Sequence, residues 1–407
     1  MIELLAPAGD SEKLETAIHF GADAVYFAGK NYGLRAYSTN IENDDIKTQV
    51  DKLHKAGKKA YVTINIFARN KDFEGLAEYL KILSDAKVDA VIVSDLGVFQ
   101  FIKEHQPDLC IHVSTQANTT NKYTAKMWES LGASRIILAR ELTIEEIKEI
   151  KSFLNKETEI ECFVHGAMCI SYSGRCLLSN YLTGRESNRG ECVQCCRWKY
   201  KLVDETGKYE LGIAEDANGT YFLNSKDLCL IEHLDELIKA GVTSFKIEGR
   251  MKSPYYVATV VNAYRRALNV LQECEKTGKK FIVPEELKTE LLKASHREYT
   301  TGYTFDKGDN KQNYKTSSYD QNSVFLGVVR AVDKQKGVLV EQRNRFKNGD
   351  VLEVLSPTQS FNKTFVVGEM TNEKGKIVDD AKNVQERLWI KMPMEVEVGD
   401  ILRSLKK

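Results

Sequence analysis

Cysteines are concentrated in the middle of this chain, in a pattern that suits metal binding or redox chemistry. Five of the nine cysteines lie between residues 169 and 196. Thiolates are soft ligands that suit both zinc and iron–sulfur clusters. Cys192 and Cys195 form a CxxC pair, which by itself is also typical of half a zinc site or of a thiol redox pair. The spacing alone leaves an iron–sulfur cluster and zinc both open.

Composition indicates a soluble protein of more than one domain. The chain has 407 residues and a net charge of zero, so we expect two or three domains. It has no apolar run long enough to cross a membrane, and the opening MIELLAPAGD lacks the features of a signal peptide. We predict a cytoplasmic protein without a membrane partner, whose cysteines are not disulfides in that reducing compartment. A local basic patch would still suffice for nucleic acid.

Alternating strands and helices predict the scaffold that positions these cysteines. Each of eight short apolar segments is followed by a helical pattern or, after the seventh, by a long insertion. The fold class is therefore α/β, a TIM-type (β/α)8 barrel, with its chemistry at the carboxyl ends of the strands. A doubly wound sheet is the alternative, but no GxGxxG follows any strand. The predicted strands are residues 2–8, 23–29, 59–65, 90–95, 110–116, 135–141, 159–166 and 244–250.

The remaining segments predict an insertion and a second domain. We expect residues 1–305 to form the barrel domain, with a Cys-rich insertion at 167–227 after strand seven. Part of the insertion has the pattern of short antiparallel strands with a turn at Glu205-Thr206-Gly207. The polar stretch 306–322 is a predicted linker. Alternating apolar runs then predict a small C-terminal all-β barrel over residues 323–407.

Strand periodicity predicts an unusually polar barrel interior, since alternate side chains share a face. Glu3 and Lys246 would form an ion pair near the bottom, whereas His165, Glu248 and Arg250 would lie at the strand tops, where ligands bind. Cys229 would lie in the first turn of a helix over residues 228–240, where the dipole favours thiolate. Ser225 or Asp227 would cap that helix. The other residues predicted to face inward are Thr63, Asn65, His112, Ser114, Gln116, Glu161 and Phe163.

Several long motifs resemble one known family. They are LLAPAG, GADAVYFA, the run FVHGAMCISYSGRCLLSNYLTGRESNRGECVQCCRWKY, LNSKDLC and FKIEGRMKSPYYVATVVNAYR. Together they closely resemble the collagenase-like peptidase U32 family over about residues 1–305, and the tail resembles that family's C-terminal β-domain. Members are similar to iron–sulfur hydroxylation proteins that act on tRNA, on ribosomal RNA or, as a homologous pair of chains, on a ubiquinone precursor.

The resemblance implies a cofactor and substrates. The ligands of a 4Fe–4S cluster correspond to Cys169, Cys176, Cys192 and Cys229, with Cys196 as an alternative and Cys195 as an extra thiol. Chain length and the single β-tail most resemble the tRNA branch, which forms 5-hydroxyuridine at the wobble position with prephenate implicated as oxygen donor. The implied partners are thus tRNA, a small dicarboxylate and, as in the ubiquinone pair, a homologous chain.

Site roles follow from these expectations. We predict His165, Glu248 and Arg250 as catalytic residues, since carboxylate and imidazole groups move protons and guanidinium binds carboxylate. Predicted substrate-binding residues are Gln116, Arg140, Arg197 and Trp198. A basic, aromatic stretch would hold phosphate and stack a base, or else be an ordinary solvated edge. That stretch comprises Arg185, Arg189, Arg197, Lys199 and Lys201 with Tyr181, Trp198 and Tyr200.

Two other function classes, a peptidase and a non-catalytic cluster protein, fit the sequence less well. A peptidase would need a nucleophile with a base, or an activated water. His165 near Cys169 could imitate such a pair, but HExxH and GxSxG are absent from the sequence, which disfavours peptidase activity. A non-catalytic cluster protein would have no need of a charged barrel interior.

Overall fold

The structure, a computed structural model, confirms a closed parallel barrel. It describes residues 2–34, 39–169, 171–172, 175–198, 225–305 and 320–405, and the backbone of four short strands between residues 202 and 220. Strand β1 pairs with the eighth barrel strand (Glu3↔Ser244), and that strand pairs with β7 (Ser244↔Glu161), so the sheet closes on itself. The first seven barrel strands are β1 Glu3–Pro7, β2 Ala24–Phe27, β3 Lys59–Ile64, β4 Ala90–Val93, β5 Ile111–Val113, β6 Arg135–Ile137 and β7 Glu159–Ala167.

The insertion and the end of the barrel supply further strands. The pair Leu202–Val203 and Glu210–Leu211 is antiparallel, as predicted, whereas the turn predicted at 205–207 lies outside the described residues. The strands are β8 Leu202–Val203, β9 Glu210–Leu211, β10 Glu215–Asp216, β11 Gly219–Thr220, β12 Asp227–Cys229, the eighth barrel strand β13 Ser244–Ile247, and β14 Tyr299–Thr300.

Helices surround the barrel, and several of them begin at a side chain that caps the first turn. Asp10 accepts a hydrogen bond from the Lys13 amide, and Ser253 caps a long helix that opens with Pro254. The helices are α1 Ser11–His19, α2 Ile46–Lys55, α3 Leu76–Asp85, α4 Leu96–His105, α5 Lys122–Ser130, α6 Ile144–Phe153, α7 Leu178–Thr183, α8 Leu234–Lys239, α9 Pro254–Thr277 and α10 Glu285–Leu291. Short 3-10 turns cover Asn43–Asp45, Asn70–Phe73, Thr115–Ala117, Ser187–Arg189, Cys195–Arg197 and Ile231–His233.

The predicted helix over residues 228–240 is wrong at its start. Strand β12 runs antiparallel to β7, with Asp227 opposite Ala167 and Cys229 opposite His165, and α8 begins only at Leu234. The backbone N–H and C=O groups of residues 227–229 therefore form their hydrogen bonds with neighbouring strands and not within a helix. The predicted cap is wrong too, because the Asp227 carboxylate accepts a hydrogen bond from the Arg297 amide at 3.2 Å.

The C-terminal segment forms an all-β domain, as predicted, with its own core around Val329, Val340 and Leu402. Its main sheet is antiparallel in the order β19-β18-β24-β15-β16-β23-β20-β21. Most of the predicted linker, 306–319, lies outside the described residues. The strands are β15 Ser323–Asp333, β16 Gly337–Gln342, β17 Phe346–Lys347, β18 Val351–Leu355, β19 Thr364–Val366, β20 Met370–Asn372, β21 Ile377–Val378, β22 Asp380–Ala381, β23 Arg387–Ile390 and β24 Ile401–Leu405.

A buried ionic cluster joins this domain to the barrel. Arg403 of β24 donates to both carboxylate oxygens of Glu290 on α10, at 2.6 and 2.7 Å, and to Glu353 at 2.7 Å. Arg403 and Glu290 are both fully buried. In the described part of the chain, no helix is both long and apolar enough to span a membrane.

We expect Arg403→Leu to lower the free energy of unfolding by about 3–5 kcal/mol, because the Glu290 and Glu353 carboxylates lose their buried guanidinium partner and are left to share the cation of Lys293. Urea denaturation would measure the change. The matched control is Arg345→Leu, which removes an exposed pair with Asp380 and should cost less than about 1 kcal/mol. Equal stability of the two variants would contradict the prediction.

Candidate active site

The barrel mouth holds a cavity of about 200 Å³ that joins the strand ends to the Cys-rich insertion. Parallel strands bring their carboxyl ends to one rim, so residues distant in sequence meet there. The strand ends contribute Thr63, Asn65, Ser114, Phe163, Lys246 and Glu248, all predicted to face inward. Of the predicted substrate and catalytic residues, Gln116, Arg140, Glu248 and Arg250 line this cavity.

A salt-bridge network closes the bottom of the barrel. Arg135, only 2% exposed, donates to Glu3 at 2.5 Å and to Glu161 at 3.0 Å, and Lys246 donates to the other Glu161 oxygen at 2.7 Å. The predicted Glu3–Lys246 pair is therefore wrong, since each group has a different partner. Burial opposes ionisation of Glu3, but Arg135 outweighs it and holds the pKa of Glu3 below its ordinary value.

Arg135 was missed by the sequence analysis. Arg135 is the first residue of its strand, and an arginine at that position gives no local indication that its side chain is buried. Its guanidinium also lies 5.2 Å from the Tyr61 ring centre, and that ring contacts His112 at 4.8 Å. Burial lowers the pKa of His112 well below its ordinary value. His112 is thus a neutral member of the barrel floor.

Above the floor, two arginines present cationic groups to the cavity. Arg140 donates to the Ala167 carbonyl at 2.6 Å and to Glu248 at 3.3 Å, and its guanidinium lies 3.8 Å from the Phe163 ring centre. Arg250 donates to Thr63 Oγ1 at 3.1 Å. The cationic lining residues are Arg140, Lys246, Arg250 and Lys252, and among the described lining residues Glu248 is the sole carboxylate. The cavity therefore favours an anion.

His165 does not face the cavity, contrary to prediction. A bulge in β7 lets Phe163 pair with Lys246 but His165 pair with Ile247, so His165 takes the outward phase. Its Nδ1 lies 3.4 Å from Tyr264 Oη on α9, and burial lowers its pKa to about 3. The next residue, Gly166, has a φ of 110°, and a Cβ there would lie 2.6 Å from the Glu248 carbonyl oxygen. His165 is a neutral packing residue of the helix layer.

Five thiols line the upper part of the cavity. Cys169 and Cys176 come from the loop between β7 and α7, Cys192 from the segment before the turn at Cys195–Arg197, and Cys195 and Cys196 from that turn. Burial, and then the neighbouring Cys176 and Cys192, raise the pKa of Cys169 above its ordinary value. A cation bound among these thiols would relieve both effects.

Cys229 lies elsewhere. Its position opposite His165 on β12 directs its Sγ toward Tyr264 Oη, 3.8 Å away, and Cys229 is absent from the described lining of the cavity. Burial raises its pKa to about 11, the opposite of the effect expected at a helix N-terminus. Three of the four predicted ligands thus line the same cavity, and Cys229 does not.

An ion pair ties the insertion to the barrel. Arg189 donates to both oxygens of Asp72, at 2.7 and 3.0 Å, and to the Phe67 carbonyl at 2.6 Å. The adjacent Asn188 donates to the Cys176 carbonyl at 3.0 Å. This link holds the Cys176 loop over the cavity. Sequence analysis assigned Arg189 to RNA and missed Asp72, because 117 residues separate the pair.

The predicted RNA-binding stretch is only partly described. Trp198 is 47% exposed and is not among the described lining residues of the cavity. The Arg197 side chain and residues 199–201 lie outside the described residues. Tyr181 is 84% exposed on α7. The stretch therefore stays a prediction.

Comparison with known proteins decides the family. The model of peptidase family U32 matches residues 9–314, and that of the family's C-terminal domain matches 321–403. The chain belongs to peptidase family U32. It is 38% identical to "tRNA hydroxylation protein P1" of Bacillus subtilis, over 99% of this chain and 95% of that protein. Identity with "tRNA hydroxylation protein P" of Escherichia coli is 36%, over 98% and 95% respectively.

A further relative is named for a different RNA. The chain is 38% identical to "23S rRNA 5-hydroxycytidine C2501 synthase" of Escherichia coli over 67% of this chain, but over only 40% of that protein. The names of these relatives join this U32 chain to RNA hydroxylation, in agreement with the resemblance in its motifs.

The thiols of this U32 protein fit an iron–sulfur cluster in donor chemistry, because five soft ligands share one cavity. The distances between these thiols fit a cluster less well than their chemistry does. Within the described ranges, no three Cys, His, Asp or Glu side chains are close enough to hold a metal ion together. A cluster would therefore need these thiols to lie closer together than they do in this arrangement.

Proposed function

We propose that this protein is an RNA-modifying hydroxylase that forms 5-hydroxyuridine at the wobble position of tRNA. The observation that supports it most is the cavity itself, in which clustered thiols lie directly above a cation-lined chamber. Relatives named for tRNA hydroxylation match almost the whole chain, including the C-terminal domain. A shared activity would explain why both domains are present in those relatives.

A 4Fe–4S cluster is the proposed cofactor, and it would supply or accept single electrons. Cys169, Cys176 and Cys192 are the proposed ligands. The fourth is Cys229, as the family resemblance implies, or a thiol of the Cys195-Cys196 pair, which shares the cavity. The Arg189–Asp72 link would keep the ligand-bearing loops above the chamber.

The proposed oxygen donor is a small dicarboxylate, prephenate, bound in the chamber. Guanidinium groups bind carboxylates through paired hydrogen bonds. Arg140 is well suited, because it lines the chamber and its guanidinium is held against the Phe163 ring, 3.8 Å from the ring centre. Glu248, 3.3 Å from Arg140, would hold or move a proton beside the donor.

Substrates other than tRNA, namely ribosomal RNA or a quinone precursor, are the alternatives, and the 23S rRNA relative supports the first. Peptidase activity is less well supported. His165 faces the helix layer at Tyr264, whereas Cys169 lines the cavity. These two residues therefore do not form a nucleophile–base pair in this arrangement.

Nucleoside analysis of tRNA tests the proposal. In a host without a second U32 copy, deletion of the gene should remove wobble nucleosides derived from 5-hydroxyuridine, and the wild-type gene should restore them. Unchanged tRNA nucleosides would reject the tRNA assignment. Loss of 5-hydroxycytidine from ribosomal RNA instead would establish the alternative.

A further inference from the structure

A second depression opens beside the cavity at the barrel mouth. It is lined by Asn118, Thr120, Ser171, Tyr172 and Arg175, and Tyr172 lines the cavity as well. One wall comes from the segment after β5 and the other from the insertion after β7. Tyr172 thus lies between two adjoining spaces, the cavity and this depression.

The lining of this depression combines an aromatic face, a cation and an amide. Tyr172 is 53% exposed although it is a large ring at a cavity wall, and Arg175 is exposed. Asn118 takes a left-handed φ of 54°, and its Oδ1 is buried without a hydrogen-bond partner among the described residues.

These groups match one nucleotide of single-stranded RNA. Exposed aromatic rings stack unpaired bases, arginine binds phosphate, and amide side chains read base edges. Carboxylates are absent from the described lining, so phosphate meets no repulsion there. A duplex is a poor fit, because side chains do not reach the bases in the deep groove of A-form RNA.

We propose that the depression binds the nucleotide next to the target base, and this rests on the proposed RNA hydroxylase function. A base that undergoes chemistry must leave its stack and enter the active-site cavity. Its neighbour in the chain then has to lie just outside, and the depression adjoins the cavity across Tyr172. In this arrangement Tyr172 stacks the neighbouring base and Arg175 binds its phosphate, while Asn118 forms part of the opposite wall.

Fluorescence anisotropy with a labelled anticodon stem–loop RNA tests this inference on the full-length protein. Tyr172→Ala should weaken binding by about ten-fold or more, within the range that loss of one stacked base produces, and Tyr172→Phe should restore it. Arg175→Ala should weaken binding and reduce its dependence on salt, by about one counterion or slightly less. The control Tyr123→Ala removes a 70% exposed ring on the outer helix α5 and should bind like wild type.

The outcomes separate the two proposals. Wild-type protein that binds no anticodon RNA would overturn the tRNA function itself. If wild type binds but Tyr172→Ala and Arg175→Ala bind equally well, the function stands and the nucleotide site is wrong. The melting temperature and iron content of both variants should equal those of wild type. A change in either quantity would show that the insertion has lost its structure, and the loss of RNA binding would then not support the nucleotide site.

Discussion

Cys169→Ala, purified without oxygen, is expected to contain no cluster: its iron content should fall from about four per chain, the number in a 4Fe–4S cluster, to near zero. Cys169 lies on the cavity wall beside Cys176 and Cys192, and burial together with those thiols raises its pKa. The protein alone therefore disfavours the Cys169 thiolate, whereas bound iron would stabilise it. Iron analysis and the visible absorption spectrum measure the result.

The control for this variant is Cys274→Ala. Cys274 lies near the end of α9, where its Sγ is 3.6 Å from the Lys280 carbonyl oxygen, far in sequence from the insertion. Its removal should leave iron content unchanged. A colourless wild-type protein that contains zinc would contradict the cluster proposal, and full iron in Cys169→Ala would contradict the ligand assignment.

The same measurement identifies the fourth ligand. If Cys229→Ala loses its iron, strand β12 must rearrange on cluster binding, because Cys229 now faces Tyr264. If Cys229→Ala keeps its iron and Cys195→Ala or Cys196→Ala loses it, the pair on the cavity wall supplies the ligand. The family motif favours the first result and the geometry favours the second.

The barrel was predictable from sequence because each strand–helix unit carries its own local signal. Strand faces were also predictable as long as alternation continued, and Thr63, Glu161 and Lys246 do face inward. The bulge at His165 broke that alternation. One extra residue moves every later side chain to the opposite face, and Gly166 was the only local sign of it.

Contacts between residues far apart in sequence were the other limit on what could be predicted. The sequence around residues 227–229 suits either a helix start or a strand, and pairing with β7 decides for the strand. Similarly, nothing local links Arg189 to Asp72 or Arg135 to Glu3, since each pair forms only after the barrel has closed. The motif resemblance supplied the cysteines, but it could not supply their mutual geometry.

Arg140→Lys is expected to weaken binding of the dicarboxylate by about ten- to one hundred-fold, the range that loss of one charged hydrogen bond produces. Lysine keeps the charge but loses the planar fork of donors that binds a carboxylate through paired hydrogen bonds. It also loses the flat contact with Phe163 that fixes the guanidinium at 3.8 Å from the ring centre. Isothermal titration with prephenate measures the affinity directly, without dependence on turnover.

The matched control is Arg345→Lys, because it makes the same exchange on the C-terminal domain at an exposed pair with Asp380. It should bind prephenate like wild type. If Arg140→Lys also binds prephenate like wild type, the oxygen donor binds elsewhere and the cationic chamber binds a different anion. If Arg140→Lys binds prephenate weakly but keeps its iron, the chamber and the thiols are separable sites. That result is expected, because Arg140 follows strand β6 at the barrel rim, whereas the thiols lie on the insertion above it.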